Sequence, residues 1–269
     1  MARSIRIAVA QVNARAGEIR ANLDRMRVQV RAAREVGAEA ILFAETCVHA
    51  YDFAPETVEL AEPLDGPVCA ELLSWAREYS MAILAGMLSR DGDEDFNTHV
   101  VAYPDGTLRA QHKHGLTEVE REAGISPGPR ERTVFEINGV RCAILVCADT
   151  GIDGIRDDLA AAGVELRFIP TAGGGGLSDM LHESDLATEA GRAAYAEDRT
   201  KVFKPGAFDD DAYTAYASAN ALGFDGRDAC HRGHCLIVDR HKVIRAQIPG
   251  TNVLEHQRDQ MAHAVLSFG

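Results

Sequence analysis

The sequence predicts an α/β fold with mixed β-sheet, on three observations. Residues 5–44 read strand, helix, strand, and residues 140–172 read the same way, the order that parallel pairing requires. Residues 81–113 instead read as short strands joined by tight turns, the order of antiparallel hairpins. Nothing repeats along the 269 residues and no Pro/Gly/Ser-rich linker divides them. Residues 1–269 are therefore expected to form one large domain with ample apolar material for its core.

In residues 5–12 (IRIAVAQV) alternation gives way to an apolar run, as in an inner strand. Residues 22–36 place Leu23, Met26, Val30 and Ala33 on one helical face, and Gly37 supplies the stop. Residues 40–44 (AILFA) form a second buried strand that ends on Glu45. A carboxylate at that end of a strand stands where open α/β sheets bind ligands; the plainer reading is a solvated strand-end glutamate. Pro67 opens a helix continued by residues 68–79, and residues 81–88 form a strand. The acidic stretch 91–95 (DGDED) lacks the spacing and terminal glutamate of a calcium loop and is read as a solvated hairpin loop. A strand follows at 98–103, Pro104-Asp105-Gly106 turns the chain, and residues 108–113 return as a strand ending on Lys113. Residues 118–128 (EVEREAGISPG) read as an acidic helical turn and a Pro-Gly loop.

Residues 140–172 organise the rest. The apolar run 143–146 delivers Cys147 to a sharp bend, a helix follows over 155–162, Gly163 closes it, and residues 164–170 form the next strand. A cysteine held at a strand end ahead of a helix is expected to be favoured as thiolate by backbone N–H groups and the helix N-terminus. The plainer reading is one more small buried residue. Glu45, Lys113 and Cys147 thus place an acid, an ammonium and a thiol at three strand ends.

A net charge of −13 argues against nucleic acid or anionic membrane as a main partner. Six scattered cysteines read as reduced thiols of a cytoplasmic protein, and no stretch has the length of a leader's apolar region or a membrane span. Cys230-His231-Arg232-Gly233-His234-Cys235 has the composition of a zinc site, but residues 234–240 alternate as a strand and split the set across two faces, so no metal is expected. His112 and His114 flank Lys113 and offer a cysteine–histidine pair as an alternative. Residues 173–176 are four glycines without the Lys-Ser/Thr of a phosphate loop, and read as a mobile rim; residues 186–201 read as an amphipathic helix.

Taken together, IAVAQV, ILFAETCVHAYDF, FNTHVVAYPDGTL, HKHGLTEVEREAGISPG, CAILVCAD, YASANALG and GHCLIVDR resemble the nitrilase superfamily of carbon–nitrogen hydrolases, in the family's order and over nearly the whole chain. The resemblance implies a four-layer α-β-β-α sandwich of two mixed sheets. It also implies homodimers or larger homo-oligomers, with helices near residues 155–162 and 186–201 at the interface. The activity implied is cofactor-free hydrolysis of a small linear amide or N-carbamoyl compound through a cysteine thioester, releasing ammonia or amine. A nitrile hydrolase and a non-catalytic binding or assembly homologue are the alternatives. By the same resemblance Glu45 is the general base, Lys113 the oxyanion stabiliser and Cys147 the nucleophile, with the Ala148 backbone N–H as a further oxyanion donor. Glu120 is the second, orienting glutamate, with Glu118 and Glu122 as nearby competitors. Two departures surround the pocket. Thr150 and Gly154 stand where arginine and glutamate are frequent, and residues 173–208 are longer and richer in glycine and acid. The missing arginine disfavours a substrate carboxylate beside Cys147, with Arg156, Arg192, Arg199 and Lys201 as candidate replacements. The sequence assigns no substrate-binding residue.

Overall fold

The computed structural model describes residues 3–201, 214–224 and 229–269, with residues 199–201 described by backbone alone. In chain order the elements begin β1 (Arg3–Gln11), α1 (Ile19–Glu35), β2 (Ala40–Leu42), α2 (Pro55–Val58), α3 (Pro67–Tyr79), β3 (Ala82–Asp91), β4 (Glu94–Ala102) and β5 (Leu108–His112). Then come α4 (Glu118–Glu122), β6 (Val134–Ile137), β7 (Val140–Ile144), α5 (Ile155–Ala161), β8 (Leu166–Thr171), β9 (Gly174–Gly176) and α6 (Glu189–Lys201). The last are β10 (Ala215–Asn220), β11 (Leu222–Phe224), β12 (Ala229–Arg232), β13 (Cys235–Val238), β14 (Ile244–Ile248) and β15 (Gln260–Phe268).

Two six-stranded mixed sheets pack face to face. The first runs β15-β1-β2-β3-β4-β5 and the second β14-β13-β10-β8-β7-β6. In the first, β1, β2 and β3 are parallel, because α1 and α3 carry the crossovers, while β4, β5 and β15 join antiparallel. In the second, β7, β8 and β10 are parallel. Alternation sorts each strand's side chains. Ile5, Ile7 and Val9 point between the sheets towards Ile144, Phe168 and Ala217, whereas Ala8 and Ala10 lie under Leu23, Met26 and Val30 of α1. Both faces of these strands are buried, which is why the sequence there is almost unbroken in apolar residues. Ile155 and Leu159 of α5 cover Ala143 and Leu145 on the far side of the second sheet. The layers are helix, sheet, sheet, helix.

Several local expectations are corrected. Helix α1 starts at Ile19, ahead of residue 22, and buried Asn22 uses its amide to hold the carbonyls of Arg15 and Val48. The acidic stretch at 91–95 is the exposed hairpin expected, with a tighter loop: β3 runs to Asp91, β4 starts at Glu94, and Gly92 at φ 59 makes the turn. Of the supposed glycine rim loop, Gly174–Gly176 is a strand, paired with β12 in a small third sheet, β11-β12-β9. Residues 202–208 of the long segment after β8 lie outside the described residues. Among the described residues, no helix is long and apolar enough to cross a membrane.

Candidate active site

Glu45 leaves the first sheet just after β2. The chain turns abruptly there: Thr46 takes φ 44, and Gly86 of the neighbouring β3 lies so close that a Cβ on it would overlap the Thr46 nitrogen. Only glycine leaves room for this turn. Lys113 follows β5, its N–H bonded to the carbonyl of Asn97 on β4 at 2.8 Å. Glu120 sits in α4, where it closes a capping box by accepting the Thr117 N–H (2.7 Å) and hydroxyl (2.8 Å).

These three side chains meet in the interior. The Lys113 ammonium donates to Glu45 Oε1 at 2.7 Å and to Glu120 Oε2 at 2.8 Å, and none of the three is more than 1% exposed. The Asn97 amide bridges the same two carboxylates, at 2.8 Å to Glu45 Oε1 and 2.6 Å to Glu120 Oε1. Tyr51 lays its ring 5.7 Å from Lys113 Nζ and ties its hydroxyl to Thr117 Oγ1 at 3.0 Å. Glu45 Oε2 has no hydrogen-bond partner among the described residues. Glu118 and Glu122 face solvent, so of the three glutamates only Glu120 reaches the lysine. Burial opposes the Lys113 charge, but Glu45, Tyr51 and Glu120 together hold its pKa above the usual lysine range. Burial likewise raises Glu45, helped by the charge of Glu120 and opposed by Lys113.

Cys147 belongs beside this cluster. Its backbone takes φ 48, an uncommon value for a residue with a side chain, and its thiol is half-buried. Burial, then the neighbouring Glu45 carboxylate, pushes the thiol pKa up to about 12, against the pull of Lys113. This overturns the expectation of a thiolate favoured by a helix N-terminus. The segment Cys147–Gly151 is a short 3-10 turn, closed by the Thr150 hydroxyl on the Cys147 carbonyl at 2.8 Å, and α5 begins only at Ile155. Ala148 is exposed directly after the thiol.

One carboxylate ties the thiol turn to the lysine loop. Asp149, fully buried, accepts the N–H groups of His114 (3.0 Å), Gly115 (2.7 Å) and Val146 (3.3 Å) and the guanidinium of Arg132 (2.7 Å). Arg132 in turn donates to the carbonyls of Pro129 and Arg130. The sequence pattern did not single out Asp149, Arg132, Asn97 or Tyr51, although Asn97 and Asp149 stand inside the FNTHVVAY and CAILVCAD stretches.

A small cavity of about 10 Å³ opens beside Glu45, at the C-terminal ends of β1, β2 and β10. Val12, Ala14, Ala44, Ala221 and Leu222 supply apolar walls, and Tyr51 and His231 are its other polar neighbours. Other candidates fall elsewhere. His112 bonds the Thr98 hydroxyl and His114 the Gly128 carbonyl, which gives no cysteine–histidine pair. Arg156 lies on the surface among Thr150, Asp153 and Asp157, and Arg192 donates to the carbonyls of Leu186 and Ala187. The side chains of Arg199 and Lys201 lie outside the described residues. Cys230 and His231 are on β12 and Cys235 opens β13. Among the described residues no group of three His, Cys, Asp or Glu is placed to hold a metal ion.

An acid–ammonium–acid cluster beside a thiol, carried by an α-β-β-α sandwich of two mixed sheets, defines the class of protein. The chain belongs to the carbon–nitrogen hydrolase family, whose sequence pattern matches residues 6–255. An (R)-stereoselective amidase of Pseudomonas sp is 28% identical over 165 residues, which cover 61% of this chain and 59% of that one. A nitrilase of Pyrococcus abyssi is 25% identical over 165 residues, 60% of this chain and 63% of that one. The matched stretches thus span about six-tenths of these relatives. Among solved structures, an amidase from Nesterenkonia sp. AN1, with acrylamide added to its active-site cysteine, superposes with TM-score 0.73 at 20% identity, covering 97% of this chain and 92% of that one. A CN-hydrolase superfamily protein from Xanthomonas campestris, with an arsenic adduct in its active site, gives 0.70 at 18% identity, covering 98% and 90%. At these identities the likeness is one of fold.

Proposed function

We propose that the protein hydrolyses a small amide through a thioester on Cys147. The observation that carries this reading is the buried Lys113 ammonium shared between Glu45 and Glu120 beside the Cys147 thiol. The sulfur carries its proton at rest, so a base must take that proton during attack, and Glu45 Oε2 is the carboxylate oxygen left free for it. As Cys147 Sγ bonds the amide carbon, negative charge grows on the amide oxygen. Lys113 and the Ala148 backbone N–H are the donors we assign to it, worth about 3–4 kcal/mol per well-placed donor. Glu45 then passes the proton to the departing nitrogen, the C–N bond breaks, and ammonia or amine leaves. Water, deprotonated by Glu45, attacks the thioester; the acid departs and the sulfur regains its proton. Glu120 and Asn97 hold the lysine and the base in place, and Glu120 supplies the second negative charge that keeps the lysine protonated.

The test is ammonia release from simple amides by the wild type and by Cys147→Ala, together with intact-mass measurement of the enzyme during turnover. An acyl adduct on Cys147 and no turnover in the variant are expected. Undiminished turnover by Cys147→Ala would sink the mechanism.

A further inference from the structure

We propose that Asn220 is a positioning residue for the nucleophile: its carboxamide pins Gly173 beside β10 and so aims the Ala172 backbone N–H at Cys147 Sγ. The inference rests on Cys147 being the attacking group, as above. Parity along the chain is the first argument. In a parallel ladder both backbone groups of one residue face one neighbouring strand, and those of the next residue face the other. Along β8 the Phe168 carbonyl accepts the N–H of Leu145, just beyond β7, at 2.9 Å. The Thr171 carbonyl accepts the N–H of Ala221, just beyond β10, at 3.0 Å. Even-numbered residues of β8 therefore face the strand that leads to the thiol, and odd-numbered ones face β10. Ala172 and Gly173 lie beyond the last ladder pair, Thr171 with Asn220, so regular pairing no longer holds them. Ala172 keeps the even parity all the same. Its N–H lies against Cys147 Sγ, where with Lys113 it favours the thiolate against burial and Glu45.

The Asn220 side chain supplies the missing rung. Its Oδ1 accepts the Gly173 N–H at 2.7 Å and the Thr171 hydroxyl at 2.9 Å. Its Nδ2 donates to the Gly173 carbonyl at 3.0 Å and to the Gly233 carbonyl at 2.6 Å. All four hydrogen-bonding places of the amide are thus filled, and two of them hold both backbone groups of a single residue, as a strand neighbour would. Gly173 held in this way continues the alternation by one residue, and the peptide before it faces the sulfur. The bond to Gly233 fastens the same amide to the β12–β13 turn. That turn is tied to β1 in its own right, because Gln11 Oε1 accepts the His234 N–H at 3.0 Å. The anchor is therefore joined to both sheets, and the chain after β8 has little freedom to carry the N–H away from Cys147. Besides Ala172, the charged groups that face the thiol are Glu45, after β2, and Lys113, after β5.

The experiment is alkylation of Cys147 by iodoacetamide in the wild type and in Asn220→Ala, from about pH 7 to 10, with peptide mapping by mass to assign the adduct. Losing one hydrogen bond to the thiolate should lower the thiolate fraction about tenfold or more, and the more basic sulfur regains part of that in nucleophilicity. The rate at fixed pH is expected to fall about three- to tenfold, which displaces the profile upward by about half to one pH unit. A purely structural role predicts the opposite sign. Burial is the main force that holds this thiol up at about 12, so a loosened site would free it and alkylate faster. An unchanged or faster rate overturns the proposal whatever the enzyme hydrolyses. Should Asn220→Ala fail to fold, Thr171→Val decides, since it removes one donor from Oδ1 and leaves both Gly173 bonds. A smaller fall in rate is expected there, and an unchanged or faster rate again overturns the proposal. Slower alkylation in the variant with no ammonia from any amide sinks the hydrolase reading and leaves the anchor standing.

Discussion

Replacing Asp149 by asparagine exchanges one carboxylate oxygen for an NH₂ group and strikes the joint between the thiol turn and the lysine loop. The amide oxygen can keep the His114 and Gly115 N–H bonds, at 3.0 and 2.7 Å in the native protein. The new NH₂ then faces Arg132 and the Val146 N–H, two donors that had bonded Oδ2 at 2.7 and 3.3 Å. A guanidinium only 1% exposed loses its counter-charge. Breaking one partner of a buried pair costs about 3–5 kcal/mol, which at roughly 2–4 °C per kcal/mol for a chain of this size lowers Tm by about 6–20 °C. Displacing the Cys147 turn relative to Lys113 by even an ångström should lower kcat by about 10²-fold, with a smaller effect on KM. Thermal unfolding and steady-state kinetics on the purified variant read both numbers. Removing the guanidinium as well, as Asp149→Asn with Arg132→Met, should recover part of the lost Tm, because no lone ion is left buried and the amide oxygen still accepts the His114 and Gly115 N–H groups. An Asp149→Asn protein that melts within about 2 °C of wild type with unchanged kcat would refute the reasoning.

The same geometry sets further outcomes. Because burial and Glu45 raise the Cys147 thiol to about 12, its alkylation by iodoacetamide should climb steadily with pH through the range from about 7 to 10; a plateau near neutrality would mean a preformed thiolate. The linked effect on stability has the opposite trend. An unfolded thiol ionises near its ordinary 9.0 while the folded one holds its proton to about 12, so the unfolded state binds fewer protons and stability falls across that window. Cys147→Ser should lessen that alkaline loss by one thiol's share, as measured by Tm against pH, because burial raises Cys47, Cys69 and Cys235 to about 12 as well. Gly86→Ala should destabilise by about 2–3 kcal/mol and displace Glu45, since the added methyl overlaps backbone rather than a movable side chain; Tm and ammonia release would both report it.

The positions of Glu45 and Cys147 were legible in the sequence because each ends an apolar run, and burial of the run fixes where the group emerges; Lys113 was legible only as the end of a polar strand. Parallel and antiparallel pairing was legible from the spacing of helices and turns. What failed were the properties set by partners distant along the chain. The Cys147 thiol is pushed up first by burial and then by Glu45, one sheet away, and a local rule about strand ends and helices takes account of neither. Glycines 174–176 have no strand propensity; they pair because β12 offers a ladder. Asp149 looks like an ordinary turn aspartate until Arg132 and the His114 loop arrive beside it.

The pairing of β1 with β15 carries a kinetic consequence. Arg3 lies opposite Phe268 and Gln11 opposite Gln260, so one edge of β1 stays open during synthesis until β15 has left the ribosome. Such distant closure is slow, and the half-built sheet is a template for wrong pairing in the meantime. Ala221, a wall of the cavity beside Glu45, comes straight after β10, whose parallel partner β8 is made some fifty residues earlier than itself, as the pairing of Ala215 with Leu166 shows. The newborn polypeptide therefore assembles one side of that cavity ahead of the seam that locks the sheet.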